Sequence, residues 1–135
     1  MTSMHQACER EVIALHRFFQ EWFAGRLPDT PQAFTRFANV LASDFEIIVP
    51  DGMRIDRATL LGRLQTAHGS DPESRIWIEN FVCRSIRVDL VQTTYEEWQM
   101  SDGLPRGRLS SALFRQQSEL PEGVEWIHLH ECWLA

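Results

Sequence analysis

The chain contains no lysine; all thirteen of its basic residues are arginine. That absence excludes chemistry through a lysine Schiff base or a phosphate-loop lysine. Basic residues are also outnumbered, nineteen acidic to thirteen, for a net charge of −6 and a sequence pI near 5.3. Nucleic acid is therefore not expected as a partner, because phosphate binding relies on clustered positive charge. Cysteine occurs three times, at Cys8, Cys83 and Cys132, with no close spacing. An odd and scattered set supports neither a disulfide framework nor a four-cysteine zinc site. Cys83 and Cys132 lie in apolar strand patterns and read as inert core thiols. No stretch approaches the ~20 apolar residues of a membrane span, and no apolar run follows a basic segment at the start. The expectation is a cytoplasmic protein with no membrane partner. Tyrosine occurs once, at Tyr95.

What is present is aromatic and apolar. Five tryptophans and eight phenylalanines in 135 residues suit the lining of an apolar cavity. Residues 1–135 are expected to form one domain, able to bury roughly two-thirds of its unfolded surface.

Residues 3–26 have a helical period, with Cys8, Val12, Leu15, Phe19, Trp22 and Phe23 on one stripe. Ser3 with Gln6 makes a capping box, and Gly25 suits the helix end. Thr30 then caps a second helix that opens with Pro31 and turns Phe34, Phe37, Ala38 and Leu41 inward. Residues 45–49 read as a strand ended by Pro50-Asp51-Gly52, with a return at 53–55. Asp56 caps a third helix through 67, with Leu60, Leu61 and Leu64 inward. Beyond it the period becomes two, with strands at 75–87, 91–101, 107–117 and 124–134. Bulky apolar residues on both faces of 75–87 predict a bulge there. Helices followed by long strands predict an α+β fold: a cone-shaped, curved antiparallel sheet wrapped around a long N-terminal helix, with two further helices.

Strand alternation and the turns at 102–105 and 119–123 give an expected register. Glu96 falls near Ser111, Trp98 near Leu109, Ser111 near Leu129 and Leu109 near Glu131. One face then carries Glu96, Trp98, Ser111, Leu113, Leu129, Glu131 and Trp133. It is the more apolar face and is the expected ligand pocket, with two carboxylates able to act as acid and base. Alternatively, these glutamates pair with Arg84, Arg87 or Arg115. A shifted register would pass the pocket to Tyr95, Glu97, His128 and His130. Those residues, with Phe114 and Trp126, otherwise read as an outer face covered by a second copy of the chain. His128-Leu129-His130 could chelate a metal with Glu97 or Cys132, but no complete ligand set is evident and no metal or other cofactor is expected. His5, His16 and His68 read as surface groups.

The order of elements, with Ser43-Asp44-Phe45 leading into Pro50-Asp51-Gly52 and Trp126-Ile127-His128-Leu129-His130 at the end, resembles the nuclear transport factor 2-like superfamily. The ending is similar to the association domain of calcium/calmodulin-dependent kinase II, and the whole to small SnoaL-like bacterial proteins. The resemblance implies a cystatin-like cone and leaves function open, since the superfamily hosts enzymes, binding modules and assembly hubs. Ketosteroid isomerase carries its general base just before the proline, where this chain has Val49, and its oxyanion tyrosine on the first helix, which has none here. Paired tyrosines and histidines of the scytalone dehydratase kind are not matched either. Where the association domain gathers arginines, the resemblance puts Glu96, Ser111 and Glu131, which implies a cationic or hydroxyl-rich ligand. Three functions stay open: small-molecule binding, acid–base catalysis of the isomerase or dehydratase type, and homo-oligomeric assembly without a ligand.

Overall fold

The computed structural model describes residues 3–134. Helix α1 (Met4–Phe23) starts at the Ser3–Gln6 capping box, and α2 (Pro31–Ala38) at Thr30, whose hydroxyl accepts from the Ala33 N–H. The third helix, α3 (Arg57–Thr66), starts at Asp56, whose carboxylate accepts from the Thr59 N–H. Each cap satisfies a backbone donor that the first helical turn leaves free. Past the end of α1, Gly25 has φ +76°, and a Cβ there would lie 3.2 Å from Gly69 Cα. Glycine allows that backbone contact between the ends of α1 and α3.

The described residues form six strands, two before α3 and four after it: β1 (Leu41–Ile48), β2 (Arg54–Asp56), β3 (Ile76–Arg87), β4 (Leu90–Ser101), β5 (Leu104–Gln116) and β6 (Val124–Trp133). They form one sheet in the order β2-β1-β6-β5-β4-β3. The long strands β3 to β6 are antiparallel, while the β1–β6 ladder is parallel, so the sheet is mixed where an antiparallel one was expected. The reason is that one helix and four strands separate β1 from β6, a connection long enough for the chain to return beside β1 in the same direction. The bulge expected in β3 is present between Glu79 and Val82, with Asn80 at φ +54°.

Register decides which side chains meet α1. A two-residue turn at Asp102-Gly103, both with positive φ, sets Trp98 opposite Gly107. This is two residues away from the expected partner, so the faces of β4 and β5 stay matched. Between β5 and β6 the expected register holds at Phe114–Trp126 and then slips by one, to Leu113–His128 and Ala112–Leu129. The extra residue is Ile127, a bulge. From there on β6 presents Leu129, Glu131 and Trp133 to the face that carries Tyr95, Glu97, Arg108, Ser110 and Phe114.

That face, rather than the one with Glu96 and Ser111, lies under α1. Tyr95, Phe114 and Trp126 are fully buried in the core with Val12, Leu15 and Trp22 of α1. They are therefore not part of a surface open to a second copy. The outer face holds Trp98, Ser111, Leu113, His128 and His130, beside the exposed Val82, Ile86 and Leu109. Of the cysteines, Cys8 is fully buried and burial pushes its thiol up to about 12, whereas Cys83 is half-buried and Cys132 exposed. The bulge explains Cys132, which pairs with Leu109 on the outer side. No helix among the described residues is long and apolar enough to cross a membrane.

Candidate functional site

Between α1, α3 and the concave side of the sheet is a cavity of about 240 Å³. Its walls are aromatic and aliphatic: Phe19, Phe37, Phe45, Ile47, Trp126 and Leu129 are among them. Each arrives by an independent local rule. The helical period turns Leu15 and Phe19 of α1 inward, the short second helix adds Phe37, and alternation in β1 adds Phe45 and Ile47. Arg63 of α3 lines the cavity while remaining exposed, which puts it at the rim.

One end of the cavity is charged. His16 of α1, Glu97 of β4, Arg108 of β5 and Glu131 of β6 meet there, with Gln99 beside them. His16 Nε2 is 3.0 Å from Glu97 Oε1, and Nδ1 is 2.7 Å from the Val12 carbonyl. Arg108 donates to Glu97 Oε2 at 3.2 Å and to Glu131 Oε1 at 3.1 Å. Gln99 also donates to Glu97. His16, Glu97 and Glu131 are all nearly inaccessible to solvent, at 3, 6 and 4% exposure.

The two carboxylates differ in protonation because their donors differ. Burial alone would push both upward. Glu97 overcomes this with His16, Arg108 and Gln99 and is held down at about 2. Glu131 is raised to about 7 by its burial and then the charge of Glu97, against the pull of Arg108, its one hydrogen-bond donor among the described residues, and of the more distant His16. The His16 imidazole is favoured by burial in its neutral form, yet Glu97 and the Val12 carbonyl raise its pKa above the ordinary value. Above the cluster, Tyr95 and Ser110 sit opposite each other on β4 and β5. Neither hydroxyl has a hydrogen-bond partner of good geometry among the described residues, and burial, then Glu97, pushes the Tyr95 phenol well up.

The structure divides the residues expected at the pocket. Leu129 and Glu131 line the cavity, and Trp133 lies on the same face with Arg106 stacked 3.5 Å over its ring. Glu96, Trp98, Ser111 and Leu113 are on the outer face, where Trp98 donates to Glu96, and Gln92 to Ser111. The alternative set divides the same way: Tyr95 and Glu97 are inward, His128 and His130 outward. One bulge in β6 separates both sets. Of the two glutamates expected to pair with Arg84, Arg87 or Arg115, Glu131 is bound by Arg108 instead, and Glu96 accepts from Asn80 and Trp98. His16 is buried rather than exposed, because position 16 lies on the α1 stripe between Val12 and Phe19. His68 is also largely covered, with Nε2 2.6 Å from the Leu27 carbonyl. Glu11 likewise lies on that stripe; Arg36 grips it at 2.8 and 3.2 Å and Trp126 donates to it at 2.9 Å, which fixes the indole in the cavity wall. Among the described residues no group of three metal-binding side chains gathers. His128 instead faces Glu46, 3.5 Å away.

Comparison with known proteins places the chain in a family. The profile of the sucrose-6-phosphate phosphohydrolase C-terminal family matches residues 8–135. The chain belongs to that family. Sucrose-phosphatase 2 of Nicotiana tabacum is similar to it over 127 residues at 20% identity, covering 92% of this chain and 30% of that protein. The chain thus spans about a third of the length of the curated relatives it matches. Among solved structures, an NTF-2-like protein of unknown function from Pseudomonas aeruginosa is 26% identical with a TM-score of 0.84, over 96% of this chain and 99% of that one. The CaMKII hub of S. rosetta superposes with a TM-score of 0.70 at 10% identity, over 99% of each chain, and shares the fold. The fold is nuclear transport factor 2-like, as the order of elements suggested. In this member of the sucrose-6-phosphate phosphohydrolase C-terminal family, Val49 lines the cavity and the carboxylates come from β4 and β6.

Proposed function

We propose that the chain binds a small organic molecule in the cavity beneath α1, its apolar body against the aromatic walls and its polar end at Glu131. One observation carries this: an apolar cavity of about 240 Å³ ends in a four-residue charged cluster, buried at His16, Glu97 and Glu131 and partly buried at Arg108, that packing alone does not require. A fold without a site would more simply fill that end with leucine, since buried ion pairs are seldom more stable than apolar packing. The cavity is smaller than the roughly 300–1,000 Å³ of drug-sized pockets. A sugar phosphate of the kind named for the tobacco relatives suits it poorly. It is too apolar for a polyol, and its arginine is already engaged by two carboxylates. A thermal-shift screen of small monocyclic compounds, repeated on Leu129→Phe, tests the proposal. Compounds that stabilise the wild type should lose their effect in the filled variant. Sucrose 6-phosphate stabilising both equally would contradict it.

A second use of the same site, acid–base catalysis of the isomerase or dehydratase type, is favoured by the opposed environments of Glu97 and Glu131. Carboxylates whose surroundings push their pKa values apart are the usual acid–base arrangement. Glu131 would carry the proton, Arg108 would face developing negative charge, and Glu97 with His16 would stay ionised. Turnover that survives Glu131→Gln would rule it out.

We further propose a homodimer through the outer sheet face, where Val82, Ile86 and Leu109 are exposed beside Leu113. Likeness in fold to association domains and hubs supports oligomerisation. Light scattering should report a dimer, and Leu109→Glu should yield a monomer; a concentration-independent monomer mass for the wild type would contradict this. Assembly with no ligand would be the remaining function if the screen found no binder.

A further inference from the structure

Building on the small-molecule reading, we infer that with Glu131 ionised the cavity selects a neutral molecule of about one substituted ring that donates a single hydroxyl to Glu131 Oε2, and rejects ammonium, carboxylate and phosphate heads.

Most polar atoms of the four charged side chains already have partners. His16 has an acceptor at each ring nitrogen, the Val12 carbonyl at Nδ1 and Glu97 at Nε2. A carbonyl oxygen and an ionised carboxylate can only accept, so both nitrogens carry hydrogen and the ring is an imidazolium. Glu97 accepts at both oxygens, from His16 at Oε1 and from Gln99 and Arg108 at Oε2. Arg108 is divided between Glu97 and Glu131. Glu131 Oε1 accepts from Arg108, whereas Oε2 receives no donor from the described residues. Glu131 Oε2 is therefore the carboxylate oxygen of the cluster that no donor among the described residues occupies.

Charge then narrows the ligand. His16 and Arg108 balance Glu97 and Glu131, so the buried cluster sums to zero. Arg63, the other charge on the cavity lining, is exposed and solvated. A cationic head would leave one positive charge unbalanced in an apolar cavity, and an anionic head one negative charge; either is costly. A neutral donor adds a hydrogen bond and no charge. An ether or ester of the same size has no hydrogen to give, so Glu131 Oε2 would be desolvated and unmet. Size follows from volume: an apolar cavity of about 150 Å³ holds benzene, so about 240 Å³ holds a ring with a short substituent.

The probes are 4-ethylphenol, 4-ethylanisole, 4-ethylbenzylamine and 4-ethylbenzoate, titrated calorimetrically into the full chain at about pH 8.5. At that pH Glu131 is ionised and a phenol, like tyrosine with its pKa near 10, is still neutral. The phenol should bind roughly tenfold or more tightly than each of the others, the worth of one hydrogen bond to a charged group. In Glu131→Leu and Glu131→Gln the phenol-to-anisole ratio should fall, to about one in the leucine variant. Equal binding of phenol and anisole to the wild type would overturn the role of Glu131. Tighter binding of the amine or the benzoate would overturn the neutrality rule while leaving the cavity a binding site. Binding of none of the four would remove the small-molecule reading and this inference together.

Discussion

Replacing Glu131 by glutamine should stabilise the protein, and only above a defined pH. Glu131 is 4% exposed and has one charged donor, Arg108. Its carboxyl is raised from the ordinary 4.5 to about 7, chiefly by burial, against the opposing pull of Arg108 and His16 and with the push of Glu97. A group raised on folding stabilises the native state fully below its unfolded pKa. That contribution is lost as pH rises toward the folded value. At about 1.36 kcal/mol per pH unit, the interval from 4.5 to about 7 corresponds to roughly 3 kcal/mol lost by pH 8. Glutamine does not ionise and can still accept from Arg108. The variant should therefore match the wild type near pH 4.5 and exceed it by up to roughly 3 kcal/mol near pH 8. For a chain of this length that is a Tm difference on the order of 10 °C. His16 and Glu97 interact with the Glu131 charge, so the difference between the two curves reads position 131 together with its coupling to them. Urea unfolding at about pH 4.5, 6 and 8 gives the three values. A variant less stable than the wild type at pH 8 would refute the reasoning and make Glu131 a net stabilising partner of Arg108.

Arg108→Met removes the arginine shared by two buried carboxylates and should cost roughly 3–5 kcal/mol by urea denaturation; a cost under ~1 kcal/mol would mean that water replaces it. Tyr95→Phe deletes a buried hydroxyl without a good partner and should change stability by less than ~0.5 kcal/mol or raise it, read from the Tm. Gly107→Ala puts a methyl 2.9 Å from the Trp98 indole and should cost roughly 1–3 kcal/mol, with a change in tryptophan fluorescence as the ring moves. Its failure to shift the spectrum would show that the indole tolerates the methyl in place.

The helices were legible in the chain because their signals are local. Ser3 with Gln6, Thr30 before Pro31, and Asp56 are caps that act within one turn, and the α1 stripe follows from a 3.6-residue period. For the candidate site, a cavity lined by apolar residues and carboxylates was legible, but not which residues line it. Carboxylates at the end of a greasy cavity were expected; Glu131 is one, and the other is Glu97 rather than Glu96. The cause is the bulge at Ile127, which falls in a stretch whose apolar–polar alternation looks regular. The slip appears only when β6 pairs with both β5 and β1, whose own register jumps between Leu41 and Glu46. A pairing of that kind joins residues about 80 positions apart and leaves no local mark. His16 was accessible to sequence reasoning, since it lies on the stripe between Val12 and Phe19, and a polar residue on such a stripe must find a buried partner. That its partner would be Glu97 depends on β4 crossing beneath α1.

A crystal structure of the full chain soaked with 4-ethylphenol tests the central claim most directly. The ring should lie in the cavity between Phe37, Phe45 and Leu129, with its oxygen within hydrogen-bonding distance of Glu131 Oε2. A cavity closed by its own side chains, with the compound absent or bound on the outer sheet face near His128 and His130, would contradict the account.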